Sequence, residues 1–191
     1  MNTRLSRSVT LIELLVAIIL MATVILAINN MNIFGRNQLL SADRRVKLQN
    51  DLSRCLEHLS KQAAMTIGNQ TLFGADTAVY ITSGALALFI DANANGTRDT
   101  DGTDYWVRYK LDSSTHNFNY CGKCPDAACA TCVITEDTLS TKLTEFSVTS
   151  DFTKGNYLDV KVTACWDPAT CPDADKVTMY NTVSLPSLST N

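Results

Sequence analysis

The sequence predicts an α+β protein, with one long N-terminal α-helix whose first half spans a membrane, packed on a C-terminal antiparallel β-sheet. Three observations carry that prediction. Val9 to Ile28 form a run of twenty residues in which Glu13 is the sole charge. Further on, Leu48, Leu52, Leu56, Leu59 and Ala63 recur at spacings of 4, 4, 3 and 4, which is one face of a helix. Beyond residue 78 the helical period gives way to short segments of alternating apolar and polar residues, the period of strands. The chain has 191 residues, 46% of them hydrophobic, enough for one domain core and an appendage.

The elements follow in order. Residues 1–8 carry Arg4 and Arg7 and no acid, a short basic leader. Residues 9–30 form the membrane segment. Twenty helical residues at 1.5 Å per residue cover a hydrocarbon core of about 30 Å. The two arginines hold the short side in the cytoplasm and place the remainder in the periplasm or outside. A cleaved secretory signal has a shorter apolar region, roughly 7–15 residues, ending in an A-x-A-like site. This run is longer and has no such end. Residues 31–67 continue the helix in amphipathic form. Asp43, Arg44, Lys47, Asn50, Asp51, Arg54, Glu57 and Lys61 lie opposite the leucine stripe. Gly35 is expected to mark a bend or a weak point and Gly68, in "TIGN", a C-terminal cap.

Residues 68–191 form the sheet domain. "AVYITSGALALFI" reads as two strands about a Ser83-Gly84 turn. "DYWVRYKLD" pairs with "HNFNY" across Ser113-Ser114. "EFSVTSDFTKGNYLDVKVTACW" reads as a hairpin turning at Lys154-Gly155-Asn156, and "KVTMYNTVSLP" as a last strand. The net charge is −3 and the basic residues are scattered, which speaks against a nucleic-acid surface.

Glu13 needs a reason, since an ionisable residue in a membrane segment costs a few kcal/mol and is by default functional. The stretch "RSVTLIELLVAIIL" joins a basic leader, a small residue and an apolar helix that opens Thr-Leu-Ile-Glu-Leu. In this it resembles the type IV pilins and the pseudopilins of type II secretion. The resemblance implies that prepilin peptidase cuts between Ser8 and Val9 and methylates the new amine of Val9. Ser8 stands where the family usually has Gly, and Val9 where it usually has Phe. Glu13 matches the family's glutamate, the fifth residue of the mature chain. Val9 and Glu13 are then the assembly residues, because a positive amine from another subunit offsets the cost of the buried carboxylate. The fold implied is a helical spine wrapped at its outer half by a sheet. The partners implied are other pilin or pseudopilin subunits, the peptidase, and the inner membrane before assembly. The amphipathic "QNDLSRCLEHLSKQAA" and the late hairpin near "VSLP" are similar to the minor subunits, implying a minor, tip-initiating component.

Two loops add candidate sites. "DANANGTRDTDGTD" places oxygen side chains at Asp91, Asn93, Asn95, Asp99 and Asp101, with Gly96 at the turn. This resembles the start of an EF-hand loop, with the carbonyl of Thr97 at the seventh position and Asp101 or Asp104 replacing the usual twelfth-position Glu. Similar aspartate loops hold calcium in some pseudopilins. A structural Ca²⁺ site is therefore expected here, against the plain alternative of a polar turn. "CGKCPDAACATC" sets Cys121, Cys124, Cys129 and Cys132 as two CxxC pairs. Outside the cytoplasm disulfides are expected, with connectivity open. A four-cysteine zinc site and a redox site are the alternatives. Cys165 and Cys171 bracket "WDPAT" and are expected to form a disulfide within the last hairpin. Cys55 lies on the leucine stripe as a buried thiol. A metal role for His58 is set aside, and His116 has no evident partner.

A structural subunit is thus the expected function. A membrane-anchored extracytoplasmic binding module built on the two loops is the alternative. No Ser-His-Asp set, HExxH or phosphate-binding loop is present, so an enzyme is not expected.

Overall fold

The computed structural model describes residues 10–66, 68–69, 78–96, 99, 101–150, 156–172, 175–185 and 188–189. The chain divides into two units, Met1–Asp43 and Arg44–Asn191. Helix α1, Leu11–Ala63, runs 53 residues and contributes to both. It is uninterrupted at Gly35, the expected bend or weak point, where an added Cβ would meet nothing within 4 Å.

In the first unit α1 is exposed around its whole circumference from Leu11 to Phe34, and apolar from Leu11 to Ile28 but for Glu13 and the hydroxyl of Thr23. It is long and apolar enough to cross a membrane. In the second unit the same helix turns amphipathic. The predicted stripe Leu48, Leu52, Leu56, Leu59 and Ala63 is buried, and Cys55 joins it. The opposite face is left to water, with Lys47, Asn50, Arg54, Glu57 and Lys61 exposed.

The helix closes at Ala63, earlier than expected. Met65 N–H donates to Gln62 O at 3.1 Å and Thr66 N–H to Ala63 O at 3.1 Å, a tightened last turn. Gly68 is therefore not the cap and lies instead in β1, Gly68–Asn69. The sheet supplies the rest of the end: Asp91 N–H donates to Met65 O at 3.0 Å. The end of the helix is thereby tied to the start of the aspartate loop.

The strands are β2 (Val79–Thr82), β3 (Ala85–Ile90), β4 (Tyr105–Asp112), β5 (Asn117–Cys124), β6 (Asp137–Ser140), β7 (Leu143–Ser150), β8 (Tyr157–Cys165), β9 (Lys176–Ser184) and β10 (Leu188–Ser189). One sheet was expected. The described residues form a five-stranded antiparallel sheet, β2-β3-β4-β5-β6, and a three-stranded antiparallel sheet, β7-β8-β9. A two-residue parallel pair joins β1 and β10. The break falls at Thr141-Lys142, where the chain leaves β6 and starts a new ladder: Leu143 faces Ala164, and Cys165 N–H donates to Lys142 O at 3.0 Å. Alternation reports which face of a strand is apolar but not which neighbour it pairs with, so the split was not legible. β6, with only Thr, Leu and Ser beyond its Asp, gave no signal. The turn placed at Lys154-Gly155-Asn156 falls mostly outside the described residues, but its flanking strands are β7 and β8.

The second unit's core is one cluster. In β3 every residue from Leu86 to Ile90 is buried, the signature of a strand covered on both faces. β8 sends in Leu158, Val160, Val162 and Ala164 at period two. Phe118 and Phe146, from the two sheets, meet at a centroid distance of 4.8 Å. Leu52 is fully buried in this cluster. Leu52→Ala is expected to lower the stability of the full chain in detergent micelles by about 3 kcal/mol in urea titration, with the helix content retained.

Candidate functional site

The first candidate element is the start of α1. Thr10 is the N-cap and Glu13 the third helical residue. Thr10 N–H and its hydroxyl donate to Glu13 Oε2 at 2.9 and 3.0 Å, and Glu13 N–H donates to Thr10 Oγ1 at 3.4 Å. This is a reciprocal capping box, which satisfies end N–H groups and sets a negative charge at the positive end of the helix. The spelling Thr-Leu-Ile-Glu carries that signature, so this partner of Glu13 was open to sequence reasoning and was missed. Ser8 and Val9 lie outside the described residues.

The cysteine motif is not a free loop, as was expected for 121–132. Cys121 and Cys124 belong to β5 and are buried there. The disulfides are nested, Cys121–Cys132 outside Cys124–Cys129. Each bond crosses from one CxxC pair to the other, unlike a redox CxxC, whose two cysteines pair with each other. The Sγ atoms of Cys121, Cys124 and Cys129 lie within 4.8 Å of one another. Zinc needs thiolates, so only a reduced form of the motif offers a four-cysteine donor set. Cys129 is held at φ 46° by two contacts: its N–H donates to Asp126 Oδ1 at 2.7 Å, and Arg108 donates to its carbonyl. Arg108 also pairs with Glu136 at 3.2 Å. Cys165–Cys171 closes the β8–β9 connection, where Cys171 N–H donates to Asp167 O at 2.8 Å.

The aspartate loop is closed by its own hydrogen bonds. Asp91 accepts from the N–H of Asn95 and of Gly96 at 3.3 and 2.9 Å. Gly96, at φ 75°, makes the turn that lets both reach it. Asp99 Oδ2 accepts from the amides of Asn93 and Asn95 at 2.7 and 2.9 Å. Asp104, buried, accepts from the N–H of Ala92 at 3.1 Å and of Asp99 at 2.8 Å, joining the two ends of the loop. The Thr103 hydroxyl and N–H hold the Asp101 carboxyl below its ordinary range. Thr97 lies outside the described residues. Among the described residues, no three of the loop's carboxylates gather as the three cysteine sulfurs do.

Cys55 is buried and unpaired with another cysteine. Burial, and then the charge of Asp51, push its thiol up to about 12. His58 packs against two tyrosines. Its Nδ1 lies 2.8 Å from the Tyr109 hydroxyl, and its ring meets Tyr120 edge-on at 4.6 Å. His116 sits at φ 59° in the β4–β5 turn, with its buried Nδ1 lacking a hydrogen-bond partner.

The chain matches no protein-family model, no curated protein and no solved structure.

Burial lowers the His58 pKa, Lys61 adds to this, and Asp137 opposes it. The folded state therefore prefers neutral His58. This stabilisation is fully present above the unfolded value of about 6.5 and is lost as pH falls below it toward the folded value. The melting temperature of the full chain should drop between pH 7.5 and 5.5, and the drop should be smaller in His58→Gln.

Proposed function

We propose that the chain is a pilin-like structural subunit, cut between Ser8 and Val9, N-methylated on Val9, and assembled through α1 into a type IV pilus or a type II secretion pseudopilus as a minor, tip-initiating component. One observation carries this reading: the stretch Leu11–Ile28 of α1, exposed on every side and apolar but for one carboxylate in its first turn. Such a surface is stable only in lipid or against other apolar helices. Glu13 gives that contact a fixed register, since a positive amine of a neighbouring subunit is its natural partner in a dry bundle. The second unit, with its three disulfides, suits an extracytoplasmic, oxidising location.

Co-expression with prepilin peptidase should shorten the chain by the eight residues before Val9 and leave a methylated Val9, read by intact mass. Glu13→Ala should be processed but fail to enter filaments. Normal function of an uncleaved chain carrying Glu13→Ala would overturn the proposal.

A second reading, a membrane-anchored binding module, is favoured by one feature. Asp99, Gly102 and Asp104 of the aspartate loop and Lys123, Cys124 and Pro125 of the cysteine motif line one cleft of about 350 Å³. In either reading Ca²⁺ is a proposed ligand of the loop, whose Asp91, Asn93, Asn95, Asp99, Asp101 and Asp104 offer the oxygen donors a hard cation requires. Calcium should then raise the melting temperature of the chain, and Asp91→Ala should remove that rise. Equal melting with calcium and with a chelator would exclude the site.

A further inference from the structure

The geometry of the cysteine motif allows its bonds to move. Trp106 and Arg108 on β4 face Cys124 and Cys121 on β5, so three steps of β5 oppose two of β4. This bulge sends Cys121 and Cys124 to the same face of the sheet, although their odd spacing would separate them in a regular strand. Cys129 comes to that face from the connection after β5, and the Sγ atoms of Cys121, Cys124 and Cys129 lie within 4.8 Å of one another. Cys132 is bonded to Cys121, so the four sulfurs form one cluster.

Access to the cluster is one-sided. Cys121, Cys124 and Cys129 are buried, whereas Cys132 is half-exposed. A thiolate arriving from solvent therefore meets the outer bond at Cys132, and the sulfur it displaces is that of Cys121. Arg108 stands directly across the ladder from Cys121, on the same face. Its guanidinium donates to the Cys129 carbonyl and pairs with Glu136, but its Nε is buried without a hydrogen-bond partner among the described residues. A cation with a spare donor beside a sulfur favours the thiolate of that sulfur, and a thiol of lower pKa leaves faster. The inner bond is then the disulfide within reach, and its Cys124 lines the cleft that Lys123 also lines.

We propose that the motif is a thiol–disulfide exchange site for low-molecular-weight thiols, with Cys132 as its point of entry and Cys124 as its point of exit. The small thiolate attacks Cys132 Sγ and forms a mixed disulfide there. The bond to Cys121 breaks, and the Cys121 sulfur leaves with the electron pair. The Cys121 thiolate then attacks Cys129 Sγ. A Cys121–Cys129 bond forms, the Cys124–Cys129 bond breaks, and Cys124 leaves as a thiolate that takes up the proton the small thiol released. Two disulfides and one thiol enter, and two disulfides and one thiol remain, so the step needs no oxidant or reductant. Cys129 is the target because β5 holds both Cys121 and Cys124 in its ladder, whereas Cys129 sits on the connection and can close the gap.

The test incubates the full chain in detergent micelles with glutathione, blocks free thiols with iodoacetamide, and maps bonds and labels by peptide mass spectrometry without reduction. In the unaltered chain one glutathione should appear on Cys132, the alkyl label on Cys124, and a new bond between Cys121 and Cys129. With both Cys124→Ser and Cys129→Ser, glutathione should still enter at Cys132 and the free thiol should stay at Cys121. Arg108→Gln should slow entry at Cys132 about tenfold, and Arg108→Lys should restore most of the rate. A purely structural Arg108 predicts the opposite sign, because a loosened motif is attacked faster. Cys165–Cys171 serves as the reference bond in the same chain, and its opening rate should not change with Arg108. The map of the unaltered chain stands by itself, so a folding defect in a variant does not spoil the test. No glutathione on the folded chain, first entry at Cys121, Cys124 or Cys129, or a free thiol resting at Cys121 in the unaltered chain would overturn the proposal. So would faster entry in Arg108→Gln at an unchanged rate for the reference bond.

Discussion

One face of one helix organises the second unit. Leu48, Leu52, Cys55, Leu56, Leu59 and Ala63 give the strands a common apolar surface to bury. Small sheets of three or five strands gain little in isolation, because an uncovered face leaves its side chains in water. The stripe supplies that cover, and its spacing fixes where the strands can lie. The polar contacts are built around it: Ser140 reaches Asp51, Asn181 reaches Ser60, and Tyr109 meets His58. Each pairs a polar group on the helix with one on a strand, so the helix fixes register as well as cover.

The same helix meets two environments along its length. From Leu11 to Ile28 its surface is apolar on every side but for Glu13 in the first turn, and no described residue of the chain covers it. From Arg44 onward the apolar residues withdraw to one face. Helix propensity does not change much between these stretches; what changes is the medium that the side chains require. The second unit therefore contains its own stabilising contacts, whereas the exposed apolar stretch of the helix has none from the described residues of the chain.

Much of this was legible because it is periodic. The leucine stripe, the β2–β3 turn, the β4–β5 pairing and the strands β7, β8 and β9 were read from spacings of 3.6 or 2 and from turn residues. The partition into two sheets was not, since pairing partners are chosen by tertiary contacts such as Phe118 against Phe146. The nested bonds of Cys121, Cys124, Cys129 and Cys132 were equally hidden. Four cysteines permit three connectivities, and the choice depends on β5 carrying two of them into the sheet. His58 was undecidable for the same reason: its partner, Tyr109, is 51 residues away in the chain.

Seven cysteines with three disulfides leave one sulfur over, and in an oxidising compartment an odd thiol threatens the rest. Exchange is carried by the thiolate, and Cys55, whose burial pushes its thiol up to about 12, stays almost wholly protonated at neutral pH. The leucines around it act as a protecting group does in synthesis. They silence one nucleophile while the other six are joined, and they come off only if the core itself opens. The integrity of the second unit's covalent framework is therefore a property of its hydrophobic packing: a mutation that loosens the helix stripe would release a scrambling reagent into its own fold.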